Sequence, residues 1–169
     1  MKLIAETQRL VIREMDSAVD AEFIFAILNT PKFIRFIGDR GVRSVEQAED
    51  FIEDRYRQSY REHGFGLWTV TLKHGVQIGM CGFVKRPHLD HADLGFAFLP
   101  DYERQGFGFE SASAILKVGK EELNFSTVLA ITSLENKASG NLLKKLNFNF
   151  NGIETMPDGE QLKIFSTTL

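Results

Sequence analysis

Between residues 94 and 99 the chain alternates, with Leu94, Phe96 and Phe98 on one face and the small Gly95 and Ala97 on the other. This is the period of a strand with one packed face. Beyond Pro100 the period lengthens. Phe109, Ala112, Leu116, Gly119 and Leu123 step by three and four, which predicts a helix with a single apolar stripe. The connecting run Arg104-Gln105-Gly106-Phe107-Gly108 therefore lies at or beside a helix N-terminus.

The same reading divides the rest of the chain. Residues 8–13 alternate weakly and suit a first strand. Asp16, Ser17 and Asp20 offer N-caps for an apolar helix over 21–28, which stops before Asn29-Thr30-Pro31. A short helical piece over 32–37 and a loop through Gly38 and Gly41 follow. Ser44 and Gln47 have capping-box spacing, predicting a helix to about residue 62, ended by His63-Gly64. Residues 65–73 and 77–85 flank His74-Gly75 and read as an antiparallel hairpin. The chain closes with a strand over 126–132, a helix over 136–146 and strands near 148–154 and 161–167, with Pro157-Asp158-Gly159 between them. No repeat or low-complexity linker interrupts the chain.

Length and composition narrow the classes. With 169 residues, 43% of them hydrophobic and 25% charged, the chain suits one globular domain, 1–169, around one core. Most of its 15 phenylalanines fall at apolar-periodic positions and read as core. A net charge of −3 and a pI near 5.8 argue against direct nucleic-acid binding, which needs many phosphates neutralised. No run is long enough for a membrane span or signal peptide. The single Cys81 has no disulfide partner and sits in an apolar run. The expected compartment is the cytoplasm, and the expected oligomeric state is monomer or homodimer.

The glycine corner is the first chemical candidate. N–H groups at a helix start carry partial positive charge, and glycine lets an anion approach them without a Cβ in the way. Arg104 adds a cation. The plain alternative is that Gly106 and Gly108 only relax a tight turn. There is no Gly-Lys-Ser or Gly-Lys-Thr ending, and the third glycine of a dinucleotide fingerprint is Ser111 here, so neither nucleotide template fits. His88, His91, Asp90 and Asp93 have spacing that a metal could use, but zinc needs three or four converging ligands, and the expectation is no metal. The acidic run Glu46, Glu49, Asp50, Glu53 and Asp54 reads either as a lure for a cationic substrate or as a solvated helix face.

Glu103-Arg104-Gln105-Gly106-Phe107-Gly108 resembles motif A of the GCN5-related N-acetyltransferases, Gln/Arg-x-x-Gly-x-Gly/Ala, with Glu103 departing at the first position. Glu6-Thr7-Gln8-Arg9-Leu10 is similar to the opening of the ribosomal-protein (RimJ/RimL-type) branch. So are Leu94-Gly95-Phe96, Pro100-Asp101-Tyr102, Asn136-Lys137-Ala138-Ser139 and Leu146-Asn147-Phe148 to further motifs of that branch. The resemblance implies an α+β fold with a mixed, mostly antiparallel sheet and helices on both faces. It implies acetyl-CoA as co-substrate, entering where the central strand and the strand over 126–132 splay apart.

By the same resemblance Phe98, Leu99, Arg104, Gln105, Gly106, Phe107, Gly108, Phe109 and Asn136 would hold the cofactor, and Ser139 would serve its thiol end. The tyrosine that elsewhere in the superfamily protonates the departing thiolate is Leu143 here. Asp93, together with His91, is then the candidate proton acceptor. The implied reaction is acetyl transfer to a primary amine, on a protein N-terminus or a small molecule. A non-catalytic acyl-CoA-binding module is the alternative that Leu143 and the missing strong base suggest.

Overall fold

The computed structural model describes residues 1–169. At the N-terminus two short strands form where one was expected, β1 (Leu3–Glu6) and β2 (Leu10–Arg13). They turn on Thr7, whose N–H donates to the Leu10 carbonyl (2.9 Å) and whose hydroxyl accepts the Leu10 N–H (3.1 Å). β1 leaves little trace in the sequence because it is the edge strand and no residue of it is buried.

Helix α1 (Ser17–Leu28) starts ahead of residue 21 because Asp16 caps it, accepting the N–H groups of Ala18 and Val19. Thr30 caps α2 (Pro31–Phe36), with proline in its first turn. The long helix is interrupted. Ser44 caps α3 (Val45–Phe51), a π-helical segment Ile52–Arg57 follows, and α4 (Gln58–His63) ends on left-handed Gly64. The segment buries Ile52 and Tyr56 together; a 3.6-residue pattern does not foresee its wider turn. β3 (Leu67–Leu72) and β4 (Gln77–Val84) form the expected hairpin at His74-Gly75.

β5 (Asp93–Phe98) leads through a 3-10 turn, Pro100–Tyr102, to α5 (Phe107–Glu121). After these come β6 (Thr127–Ser133), α6 (Lys137–Lys145), β7 (Asn149–Thr155) and β8 (Gln161–Thr168). The eight strands make one sheet ordered β1-β2-β3-β4-β5-β6-β8-β7, in which β5–β6 is the parallel pair and the others are antiparallel. The mixed, mostly antiparallel α+β architecture is therefore present. No helix is long and apolar enough to cross a membrane.

The single core is a correction, because the sheet divides the apolar interior. Trp68, Phe83, Ile115, Val128 and Phe165 pack on the α5–α6 side. Ile24, Ile27, Ile52 and Met80 pack on the side of α1 and α3. Each large side chain removed from water contributes about 1.5–3 kcal/mol.

A buried polar hub ties the second side to the sheet. Asp20, 0% exposed, accepts both forks of Arg13 (2.8 and 2.9 Å), the Asp16 N–H (2.8 Å) and the Gln77 amide (3.1 Å). Burial opposes ionisation, but these bonds prevail and hold its carboxyl below the usual range.

The stripe of α5 is also corrected. Phe107, Ala112, Ile115, Val118 and Gly119 face the core, whereas Phe109 is 46% exposed and Leu116 and Leu123 are half-buried. Phe107 sets this rotation, held under the Arg9 guanidinium, which lies 4.3 Å from its ring centre.

Candidate active site

β4 and β5 are zipped along their whole length, from Gly79–Phe98 to Val84–Asp93. β5 and β6 pair only at Asp93 and Leu129 and then part. The Leu99 N–H donates to Ile78 on β4 (2.9 Å). Because backbone groups alternate along a strand, the N–H groups of Phe96 and Phe98 point the other way, into the gap. On β6, Leu129 donates to the Ala92 carbonyl (3.0 Å), so the Ile131 N–H two residues on also faces the gap. Two open strand edges thus border a cleft of about 1420 Å³. Along β5, Phe96 and Phe98 pack on the α5 side, while Ala97 and Leu99 pack on the α1 side.

At the end of β5 the chain turns sharply. Arg104 and Gly106 are left-handed, with φ of 60° and 84°. Gly106 is the N-cap of α5 and makes no side-chain capping bond. The backbone N–H groups of Gln105, Gly106, Phe107, Gly108 and Phe109 have no acceptor in the protein, the first helical bond being Glu110 N–H to Gly106 (3.1 Å). Gly108 lets α5 pack on α6, since a Cβ there would stand 3.0 Å from Leu142. Free amides, a helix dipole and the Arg104 side chain converge on one corner, which is what an anion needs.

The corner is tied down from the N-terminal strands. Arg9 Nε bonds Glu110 (2.7 Å), its backbone N–H bonds the same carboxylate (2.9 Å), and its Nη1 bonds the Gln105 carbonyl (3.0 Å). Thr7 donates to Glu110 as well (2.7 Å). Partial burial works against the Glu110 charge, but these donors keep its carboxyl below the ordinary range. Glu103, the departure from motif A, is paired with Lys32 of α2.

On the opposite wall Asn136 caps α6, its carboxamide oxygen accepting the Ser139 N–H (3.2 Å). Asn136 and Ser139 both line the cleft. Leu143 is wholly buried in the α5–α6 core and offers no proton. Asp93, 2% exposed, sits at the joint of β5 and β6 and bonds Arg86 Nε (3.0 Å). Burial raises its carboxyl above the usual range against the opposing pull of Arg86.

A family model for the acetyltransferase (GNAT) domain matches residues 9–149. The chain belongs to the GNAT acetyltransferase family. Among curated relatives of this acetyltransferase, the uncharacterized N-acetyltransferase YoaA of Bacillus subtilis is 31% identical over 89% of this chain and 85% of its own length. YnaD of the same organism is 26% identical over 92% and 89%. An acetyltransferase structure from Agrobacterium tumefaciens superposes with a TM-score of 0.83 at 20% identity, over 100% of this chain and 95% of that one. RimL, a ribosomal α-N-protein acetyltransferase solved with coenzyme A, gives 0.84 at 14% identity, over 99% and 98%. These structural likenesses establish the fold.

Other candidates of the acetyltransferase are placed differently. His88 contacts Met156 Sδ (3.2 Å), Asp90 and His91 are exposed, and no three potential ligands gather as a metal site. The acidic run lies mostly on the outer face of α3, with Glu53 bridging Arg57 (3.3 Å) and Ser17 (2.9 Å). Only Asp54 of that run reaches the cleft wall. Cys81 is buried in the core, its thiol pushed up to about 12 by burial. The Arg9–Glu110–Thr7 latch was missed. Its members lie about a hundred residues apart, and the only signal was the Glu6-Thr7-Gln8-Arg9-Leu10 opening, which carries no role by itself.

Proposed function

We propose that the protein transfers an acetyl group from acetyl-CoA to a primary amine, either a protein N-terminal α-amine or that of a small molecule, directly while both are bound. The observation that carries this reading is the uncapped α5 corner beside an open strand edge. The corner's amides and Arg104 fit a diphosphate. The gap between β5 and β6 fits an extended arm with amides of its own. RimL, with a matching fold, was solved holding coenzyme A.

When bound, acetyl-CoA supplies an activated acyl thioester. Arg104 and the amides from Gln105 to Phe109 hold its phosphates. Phe98 flanks its arm and Asn136 lines the opposite wall, whereas Leu99, expected beside it, faces α1 with its N–H already bonded to Ile78. The Phe96 N–H, preorganised on a rigid strand, stabilises negative charge that develops on the carbonyl oxygen. Asp93, raised by burial, accepts the amine's proton directly or through water. The Ser139 hydroxyl donates to the sulfur as it leaves. A thiol of pKa near 8.5 leaves as thiolate at pH 7 at a cost of about 2 kcal/mol, so a hydroxyl suffices where Leu143 replaces an acid.

An α-amine is neutral roughly one time in ten at pH 7, a lysine only about one time in a few thousand. A site whose one candidate base is a buried carboxylate already bonded to Arg86 therefore favours the α-amine, which needs less help to lose its proton. Thiol release assayed across peptide, amino-acid and polyamine acceptors tests the proposal. It expects turnover on at least one class, and silence on all of them with intact CoA binding refutes it. Asp93→Asn should lower kcat by about a hundredfold while CoA affinity stays unchanged. An unchanged kcat removes Asp93 from the reaction.

A further inference from the structure

Every arginine of the chain is ion-paired with a carboxylate except Arg40, Arg55 and Arg104, and all three line the cleft. Arg104 stands at the anion corner. Arg40, in the loop between α2 and α3, and Arg55, on the π-helical segment, lie on the α1 side of the sheet, where their neighbours Val42 and Tyr56 pack. Together with Phe51 they border a side hollow of about 260 Å³ that adjoins the cleft. Arg55 lies over the Phe51 ring, 5.6 Å from its centre, and that ring meets Tyr56 edge-on. The ring supports the flat guanidinium and leaves its N–H groups for another partner. Asp50 and Asp54 border the hollow too, but neither pairs with an arginine.

Both charges reach the floor of the cleft. Burial lifts the Tyr56 phenol above its usual range, and Arg40 and Arg55 pull against that rise. The Tyr56 hydroxyl lies 3.9 Å from Met80 Sδ, and Met80 pairs with Ala97 of β5, next to Phe96, whose N–H faces the gap. The two cations therefore stand where an acceptor would approach, apart from the corner that suits phosphates. We infer that Arg40 and Arg55 are specificity-determining residues that bind a carboxylate carried by the acceptor, so that the protein selects acidic amines over neutral and cationic ones. Planar guanidinium forks suit a carboxylate, and a charge-assisted pair is the strong form of such a contact. The inference rests on the acetyl-transfer reading above and names its substrate class.

Two acceptor series test the assignment and tell the sources of the carboxylate apart: amidated tetrapeptides with Glu, Gln or Lys as second residue, and a Ser-Ala dipeptide as free acid and as amide. In at least one series the carboxylate-bearing acceptor should exceed its neutral counterpart in kcat/KM by about tenfold or more, through KM. The double variant Arg40→Gln with Arg55→Gln should erase that preference, and lysine at both positions should recover part of it. CoA, titrated calorimetrically, should bind wild type and the glutamine double variant alike. Equal rates within both series, or a preference for the lysine peptide, overturn the inference and leave acetyl transfer standing. A preference that survives in the double variant overturns it as well. Weakened CoA binding in the double variant assigns the arginines to the cosubstrate and overturns it too. Wild type that is silent on every acceptor instead overturns the acetyl-transfer reading, and the inference with it.

Discussion

Two helices begin at the cleft and begin differently. α6 starts at Asn136, whose side chain folds back on the Ser139 N–H. α5 starts at Gly106, and no side chain turns back on its first amides. The other helices that start from a loop resemble α6, with Asp16, Thr30 and Ser44 each accepting N–H groups of the helix they open. A helix start without such an acceptor leaves its donors to water or to a ligand. The neighbouring latch of Arg9, Thr7 and Glu110 shows that the α5 start is nonetheless held rigid. The contrast separates an N-terminus that is finished by the chain from one that is completed from outside.

The largest effect should come from filling the open corner. Gly106→Glu places a negative side chain among the free amides and strains a left-handed position (φ 84°). CoA affinity should fall by more than about a hundredfold, read by calorimetry, and unchanged affinity would erase the distinction between the two helix starts.

Loosening the corner comes next. Glu110→Gln should weaken CoA by about threefold to tenfold and lower the unfolding temperature, without abolishing binding. The pH dependence has a definite sign. The Glu110 carboxyl is held below its ordinary value of 4.5, so its contribution to stability is complete above that value. It is lost as pH falls through the lower value of the folded state. The stability gap between wild type and Glu110→Gln should be constant above about pH 5 and close in more acidic buffer. A gap that widens on acidification would contradict the latch.

Caps finished by the chain should matter less to the ligand. Asn136→Ala should cost about 1 kcal/mol, a fall of roughly 2–4 °C in Tm, and weaken CoA far less than Gly106→Glu. Asp16→Ala should show a comparable stability loss and no change in CoA affinity. Equal CoA losses in both cap variants would mean that affinity follows global stability, not the site.

Local signals made part of this readable from the chain. The alternation of β5, the His74-Gly75 hairpin and the glycine corner each lie within a few residues, so period and turn chemistry expose them. Ser44 and Asn136 announced their helices by capping. What stayed hidden depends on partners distant in sequence. Asp20 looked like a helix-start acid until Arg13, Thr69 and Gln77 gathered round it. Phe109 continued a three-four stripe, yet Phe107 fixed the helix rotation and left it half in solvent.

Backbone hydrogen exchange, followed residue by residue with and without CoA, tests the central claim most directly. The amides of Gln105, Gly106, Phe107, Gly108 and Phe109, free in the protein alone, should exchange fast and become strongly protected when CoA is added, while the Ser139 amide, already bonded to Asn136, changes less. Protection elsewhere in the cleft with no slowing across Gln105 to Phe109 would contradict the account.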